Sequence, residues 1–148
     1  MTKEQLRAVG TVLTDLIPSL IERGITHYYA GGAIGFDLAA TVTVLNLKNR
    51  YPMLSITLAL PCRNHQTSWT EAEKELFKRV LARVDEVVYV NDEYFRGCMR
   101  ERNCYMVDRS SLCLAYLTTS RGGTYQTVSY AEKEGIEVIR LAPPSLQG

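Results

Sequence analysis

Short apolar runs alternate with helix-patterned segments along almost the whole chain, and this alternation constrains the fold more than any motif does. From Thr2, a residue suited to cap a helix, Leu6, Val9, Leu13, Leu16, Ile17, Leu20 and Ile21 recur at helical spacing until Gly24 ends the run, with Pro18 a place for a kink. Strands are predicted at 25–30, 54–60, 86–90, 112–117 and 136–141, and further helices at 36–48, 69–84, 97–109 and 124–134. The strands are apolar almost throughout, so both faces of their sheet must be covered. Right-handed crossovers do this by placing helices on each side of parallel strands. The prediction is an α/β fold: a Rossmann-like, doubly wound, mostly parallel sheet of about five strands with helices on both faces.

The size of the chain fits that plan. Its 148 residues, 46% of them hydrophobic, suit one domain, and no repeat, low-complexity tract or linker interrupts them before the loose PPSLQG end. Seventeen basic residues against sixteen acidic ones leave a net charge of +1. That balance gives no global field for nucleic acid or an anionic membrane, so any anion must be held locally. Cys62, Cys98, Cys104 and Cys113 form no C-x-x-C pair, and neither His27 nor His65 adds a zinc-like spacing, so no metal is expected. The N-terminus MTKEQLRAVG is unlike a signal peptide and no apolar run reaches membrane-spanning length, which points to a reducing cytoplasm.

In doubly wound sheets, ligands sit beyond the carboxyl ends of the strands, where strand order reverses. Two loops at such ends are glycine-rich: GGAIGFD at 31–37, with Gly31, Gly32, Gly35 and Asp37, and SRGGTYQT at 120–127, with Gly122, Gly123 and Thr124. Each follows a strand and opens a helix, a junction whose unpaired N–H groups and helix dipole suit a phosphate. Taken singly, each reads equally well as a tight turn. A classical NAD site is not supported, because the acidic residue that should follow about 20 positions on is replaced by Leu60, Pro61 and Cys62.

The ordered motifs GGAIGFDLAA, LPCRNHQTSW, DEVVYVNDEYFRGCMRERNCYMVDRS and GGTYQTVSYA resemble the YpsA-like branch of the SLOG superfamily, the Rossmann-like group that also contains DprA and the LOG phosphoribohydrolases. The resemblance spans about residues 25–141. It implies a cytoplasmic protein of bacterial or phage origin with a pocket for a nucleotide or nucleotide derivative. Members of the branch usually open with a strand ending in a Thr-Gly-His-Arg-Pro-like loop, whereas this chain starts with the following helix. It therefore reads as a single domain lacking the family's usual first strand. Such a sheet is left short, is completed by a partner chain as in a homo-oligomer, or belongs to a truncated member.

Several side chains near these loops suit a ligand. Asp37 could accept ligand hydroxyls or simply favour the dipole of its own helix. After the second strand, Pro61 and Gln66 lie in the loop, and Trp69 offers a face for a base or a hydrophobic staple. Cys62 reads as lining, since nothing in the sequence positions a base or cation beside its thiol. In MRERNCYMVD, Arg100 reads equally as a phosphate ligand or as part of a solvated helix face paired with Glu101 and Asp108. The resemblance places its Arg-Asn pair at Arg102 and Asn103. LOG-type hydrolases carry a PGGxGTxxE loop, but Thr127 or Ser129 stands where that glutamate would be, and Glu132 is a turn further on. A hydroxyl cannot do a carboxylate's work with a cationic sugar.

The leading expectation is a small-molecule binding or sensing protein that holds a nucleotide-derived phosphate between the two glycine loops. No catalytic residue or cofactor is assigned. The first alternative is a nucleotide or ADP-ribose-type hydrolase with Asp37 or Asp108 as the acid–base group. The second is a DprA-like module for single-stranded DNA, which the near-neutral charge argues against.

Overall fold

The structure, a computed structural model, describes residues 2–63, 68–116 and 123–141. Helices and strands alternate as α1 (Lys3–Glu22), β1 (His27–Ala30), α2 (Phe36–Leu47), β2 (Ser55–Leu60), α3 (Glu71–Leu81), β3 (Glu86–Tyr89), α4 (Cys98–Asp108), β4 (Leu112–Tyr116), α5 (Gly123–Lys133) and β5 (Glu137–Leu141). The predicted order of elements holds, with ends displaced by a few residues. In α1 the Thr2 hydroxyl accepts from the Gln5 N–H and the Gln5 side chain accepts from the Thr2 N–H, a reciprocal cap that fixes the start. The helix runs on through Pro18 and buries Val9, Leu13, Ile17 and Leu20 along one stripe. Thr70 and Glu73 make the same reciprocal cap on α3, which leaves Trp69 outside the helix that 69–84 predicted.

All the strand pairs are parallel. β2 lies between β1 and β3, with Tyr28 opposite Ile56 and Leu58 opposite Val87, and β4 pairs with β5, with Leu114 opposite Ile139. The five strands thus form a group of three and a group of two, because among the described residues no ladder joins β1 to β4. α1 packs on α2 and α2 on α3, while α4 packs on α5. Right-handed crossovers put these two helix layers on opposite faces. Their periodicity shows in neighbouring residues of β1: Tyr28 faces the main core, while the Tyr29 ring meets Tyr105 of α4 edge-on at 6.5 Å.

That core is built around β2, whose Ile56, Leu58, Ala59 and Leu60 are 0–1% exposed, and it takes in Leu13 and Ile17 of α1, Phe77 of α3 and Tyr116 of β4. A polar clamp holds the amino-terminal edge. The Asp85 carboxylate accepts from the Ile56 N–H at 2.9 Å and from Lys48 at 2.6 Å. Side chains also tie the two strand groups together. Phe36 stacks on Tyr116 at 6.0 Å, and Arg23, just past α1, pairs with Glu137 of β5 at 2.6 Å.

Candidate functional site

At the carboxyl end of β1 the chain turns through Gly31 and Gly32 into α2, and the fold itself makes demands of these glycines. Gly32 has φ +74, and a Cβ there would lie 2.6 Å from Cδ2 of Leu60. A Cβ on Gly31 would lie 2.6 Å from Nη1 of Arg102 and 2.7 Å from both Cζ of Arg102 and Oδ2 of Asp37. The missing side chain thus makes room for two opposite charges beside the backbone. Gly35, at φ +101, is the N-cap of α2 and supplies no side-chain cap, in contrast to the reciprocal caps of α1 and α3.

Arg102 comes from α4 and is only 6% exposed, so it is no part of a solvated helix face. Its Nη1 donates to the Gly31 carbonyl at 2.5 Å and to the Ala59 carbonyl at 3.4 Å, and its Nε donates to Asn103 Oδ1 at 2.8 Å. The guanidinium therefore ties the ends of β1 and β2 to α4. Among the described residues its Nη2 has only the Met99 sulfur, at 3.8 Å, a weak acceptor. Burial pushes the Asp37 carboxyl above the usual carboxylate range, while Arg102 and the Ala33 N–H, 3.4 Å from Oδ2, pull it back. Burial likewise lowers Arg102, with Asp37 opposing.

A cavity of about 1130 Å³ opens beside this cluster. Gly31, Gly35, Asp37, Arg102 and Asn103 line it, and Thr124 and Thr127 reach it from α5. The structure thus brings together residues that stand far apart in the sequence. Other candidates lie elsewhere. Pro61 and Cys62 are buried and outside the cavity lining, and Trp69 meets Phe77 edge-on at 5.2 Å, packing against the core as a staple does. Gln66 and Gly122 lie outside the described residues, and Gly123 begins α5. Asp108 ends α4, six residues beyond Arg102, and its exposed carboxylate accepts from the Tyr130 hydroxyl at 2.6 Å.

The sequence reading missed two hydroxyls. Tyr116, 8% exposed at the end of β4, and Tyr28 of β1 both line the cavity, and among the described residues neither buried hydroxyl has a hydrogen-bond partner. Burial pushes Tyr28 up to about 12. Sequence alone carries no signal for them, because a tyrosine in a strand reads as core. Among the described residues no group of His, Cys, Asp and Glu is placed to hold a metal, and no helix is long and apolar enough to cross a membrane.

Comparison with known proteins places the chain. It is 31% identical to the uncharacterized SPbeta prophage-derived protein YoqJ of Bacillus subtilis over 88% of each chain. It is 26% identical to the UPF0398 protein RBAM_020340 of Bacillus velezensis over 78% of its own length, spanning 65% of that relative. Among solved structures, DNA processing protein A (DprA) from Streptococcus pneumoniae superposes with a TM-score of 0.68 at 17% identity, covering 95% of this chain and 46% of that one, a likeness of fold. The YpsA family model, described as the YspA SLOG family, matches residues 1–140, and with the Rossmann-like alternation, the Gly31 turn and the Arg102-Asn103 pair all inside that match, the chain belongs to this family.

Proposed function

We propose that the protein binds a phosphorylated, nucleotide-derived small molecule at the carboxyl ends of β1 and β4, as a binding or sensing module. The observation that carries this reading is the cluster of the buried Arg102 with the half-buried Asp37 and Asn103 around Gly31, set at the N-terminus of α2 and open to the cavity. Strand order runs outward from β1 to β3 and restarts at β4, so the cluster sits where a doubly wound fold receives its ligand. The N-terminal N–H groups of α2 and the Nη2 edge of Arg102 suit a phosphate, Asp37 suits a ribose hydroxyl, and the Tyr116 hydroxyl, without a partner among the described residues, suits a polar edge of the ligand.

A second reading, hydrolysis, rests on Asp37 alone. A carboxyl raised by burial inside a cleft is the usual state of a general acid. Asp108, exposed and held by Tyr130, has no such setting.

Thermal shift and calorimetry with AMP, ADP-ribose, NAD and unphosphorylated adenosine test the proposal. A ligand present at 100 times its Kd adds about 2.7 kcal/mol to apparent stability, a shift of several degrees for a chain of this size. A rise with phosphorylated ligands, absent with adenosine and reduced in Asp37→Asn, supports the site. No rise with any of them at millimolar concentration overturns it. Mass spectrometry of the supernatant separates binding from turnover, since released base would favour the hydrolase.

A further inference from the structure

The opposite end of the sheet, away from the Gly31 loop, carries a line of polar side chains that the ligand site does not use. Parallel register sets His27 opposite Ser55 and Thr57 opposite Glu86, and Ser55 and Thr57 alternate onto one face of β2, so all four side chains share that face. α4 covers the face only towards the carboxyl ends, where Tyr105 meets Tyr29 and Arg102 reaches the Ala59 carbonyl. At the amino ends His27 and Glu86 are exposed, Ser55 is half-buried and Thr57, between them, is fully buried. Distances join the four into a chain. His27 Nδ1 lies 2.5 Å from Ser55 Oγ, and its Nε2 lies 2.9 Å from Thr57 Oγ1, which lies 3.2 Å from Glu86 Oε1. The last bond dictates the direction of the others. A carboxylate only accepts, so the single hydroxyl proton of Thr57 goes to Glu86, and Thr57 can offer His27 only a lone pair. Nε2 must then carry the ring proton, which leaves Nδ1 bare and aimed at the Ser55 hydroxyl.

We propose that Ser55 is a nucleophile with His27 as its general base, and that it takes an acyl group from activated acyl esters, the aryl esters and thioesters. The arrangement has the parts such chemistry needs: a hydroxyl within hydrogen-bond reach of a base, and a third group that orients the base. Thr57 and Glu86 are the positioning residues, because they act on the serine only through the ring. The Tyr29 ring packs edge-on against the imidazole at 4.9 Å, and Asp85 holds the Ile56 N–H, which fixes the backbone between Ser55 and Thr57. In the step itself Ser55 Oγ forms a bond to the ester carbonyl carbon while its proton passes to His27 Nδ1. The adduct then breaks the bond to the aryl oxygen or thiol sulfur, and this leaving group departs with the bonding pair and takes the proton back from Nδ1. The products are the acylated serine and a free phenol or thiol. The positive charge that the ring carries in between is offset by the Glu86 carboxylate through Thr57. Activated esters are the fitting class, because their leaving groups depart readily.

The test incubates the 148-residue protein with p-nitrophenyl acetate and, separately, with a fluorophosphonate, and maps the adducts by peptide mass spectrometry. Both reagents should modify Ser55. General base catalysis contributes about 10²–10⁴-fold, so His27→Gln should slow modification of Ser55 by at least about 100-fold. Thr57→Val keeps the shape of the side chain but removes the acceptor of the Nε2 proton. It should slow modification by at least about 10-fold, because the ring tautomer is no longer fixed. Long-range proton–nitrogen NMR of the His27 ring reads that tautomer directly: the parent should carry its proton on Nε2, and Thr57→Val should populate both forms. A parent that gains no adduct at Ser55, under conditions that fully modify a known serine hydrolase, would overturn the proposal. So would a parent ring protonated on Nδ1 at neutral pH, or a rate at Ser55 that either folded variant leaves unchanged. Where a variant does not fold, the parent alone decides: an adduct at Ser55 together with the Nε2 tautomer supports the proposal, and the lack of either overturns it.

Discussion

Replacing Arg102 with methionine removes a buried cation while keeping most of the packing volume, and the structure fixes what is left behind. The Gly31 and Ala59 carbonyls lose their donor, and Asp37 keeps a desolvated carboxylate with no neighbouring positive charge. Breaking one partner of a buried charge pair typically costs about 3–5 kcal/mol, a large part of the roughly 5–15 kcal/mol that holds a domain together. The sign test is the double variant. Arg102→Met with Asp37→Asn leaves no unpaired charge, so it should be more stable than Arg102→Met alone by about 1–3 kcal/mol, although two residues are changed.

pH supplies an independent check. The folded-state carboxyl of Asp37 lies above its unfolded value, so the folded chain holds the extra proton and stability falls as pH rises from the unfolded value towards the folded one. Removing Arg102 takes away an interaction that lowers the folded value, so the window widens upwards. The deficit of Arg102→Met relative to the parent should therefore be smallest below about pH 4, where only the lost donors to the Gly31 and Ala59 carbonyls remain, and grow through the window above it. Urea unfolding at several pH values measures both effects. An Arg102→Met chain as stable as the parent, or a double variant less stable than Arg102→Met, would refute the account of a paired, buried cluster. If Arg102→Met does not fold at pH 7, the double variant decides the matter under the same conditions: its folding supports the pairing, and its failure to fold refutes it.

Gly31→Ala should destabilise by about 2–4 kcal/mol through displacement of the Arg102 guanidinium from its two carbonyls, whereas Gly24→Ala, strained at φ +86 but facing open space, should cost only about 1 kcal/mol; equal losses in chemical denaturation would count against the clash. Tyr116→Phe removes a buried hydroxyl with no partner among the described residues, so the ligand-free protein should melt at the same temperature or higher, while affinity for the phosphorylated ligand falls; a lower ligand-free Tm would show that the hydroxyl is satisfied in the folded chain. Lys48 and the Ile56 N–H hold Asp85 below the usual carboxylate range, so its stabilisation is present above about pH 4 and is lost as pH falls through the folded value. Asp85→Asn should therefore destabilise at pH 7 and converge with the parent in acid, and a deficit unchanged down to about pH 3 would exclude the clamp as its cause.

How far the sequence could be read depended on whether a residue's role is local or set by distant contacts. The order of elements follows from periodicity and caps, which are local, so α1 and its Thr2 cap were legible from the residues themselves. The split between β1 and β4 was not, because an unpaired edge depends on which strand lies beside it, and periodicity describes a strand rather than its neighbour. The glycine loop shows the same division at the scale of one atom. Gly31 could be flagged as a turn or a phosphate cradle, yet its place in the fold is set by Arg102, seventy-one residues further along the chain. That contact changes what a glycine substitution can reveal. Gly32→Val would meet Leu60 and a left-handed backbone whether or not a ligand binds there, so its loss of stability could not separate cradle from turn. Substitutions that leave the free protein intact, Tyr116→Phe above all, are the ones that can isolate binding at this site, because a hydroxyl with no partner among the described residues has no bond there for its removal to break.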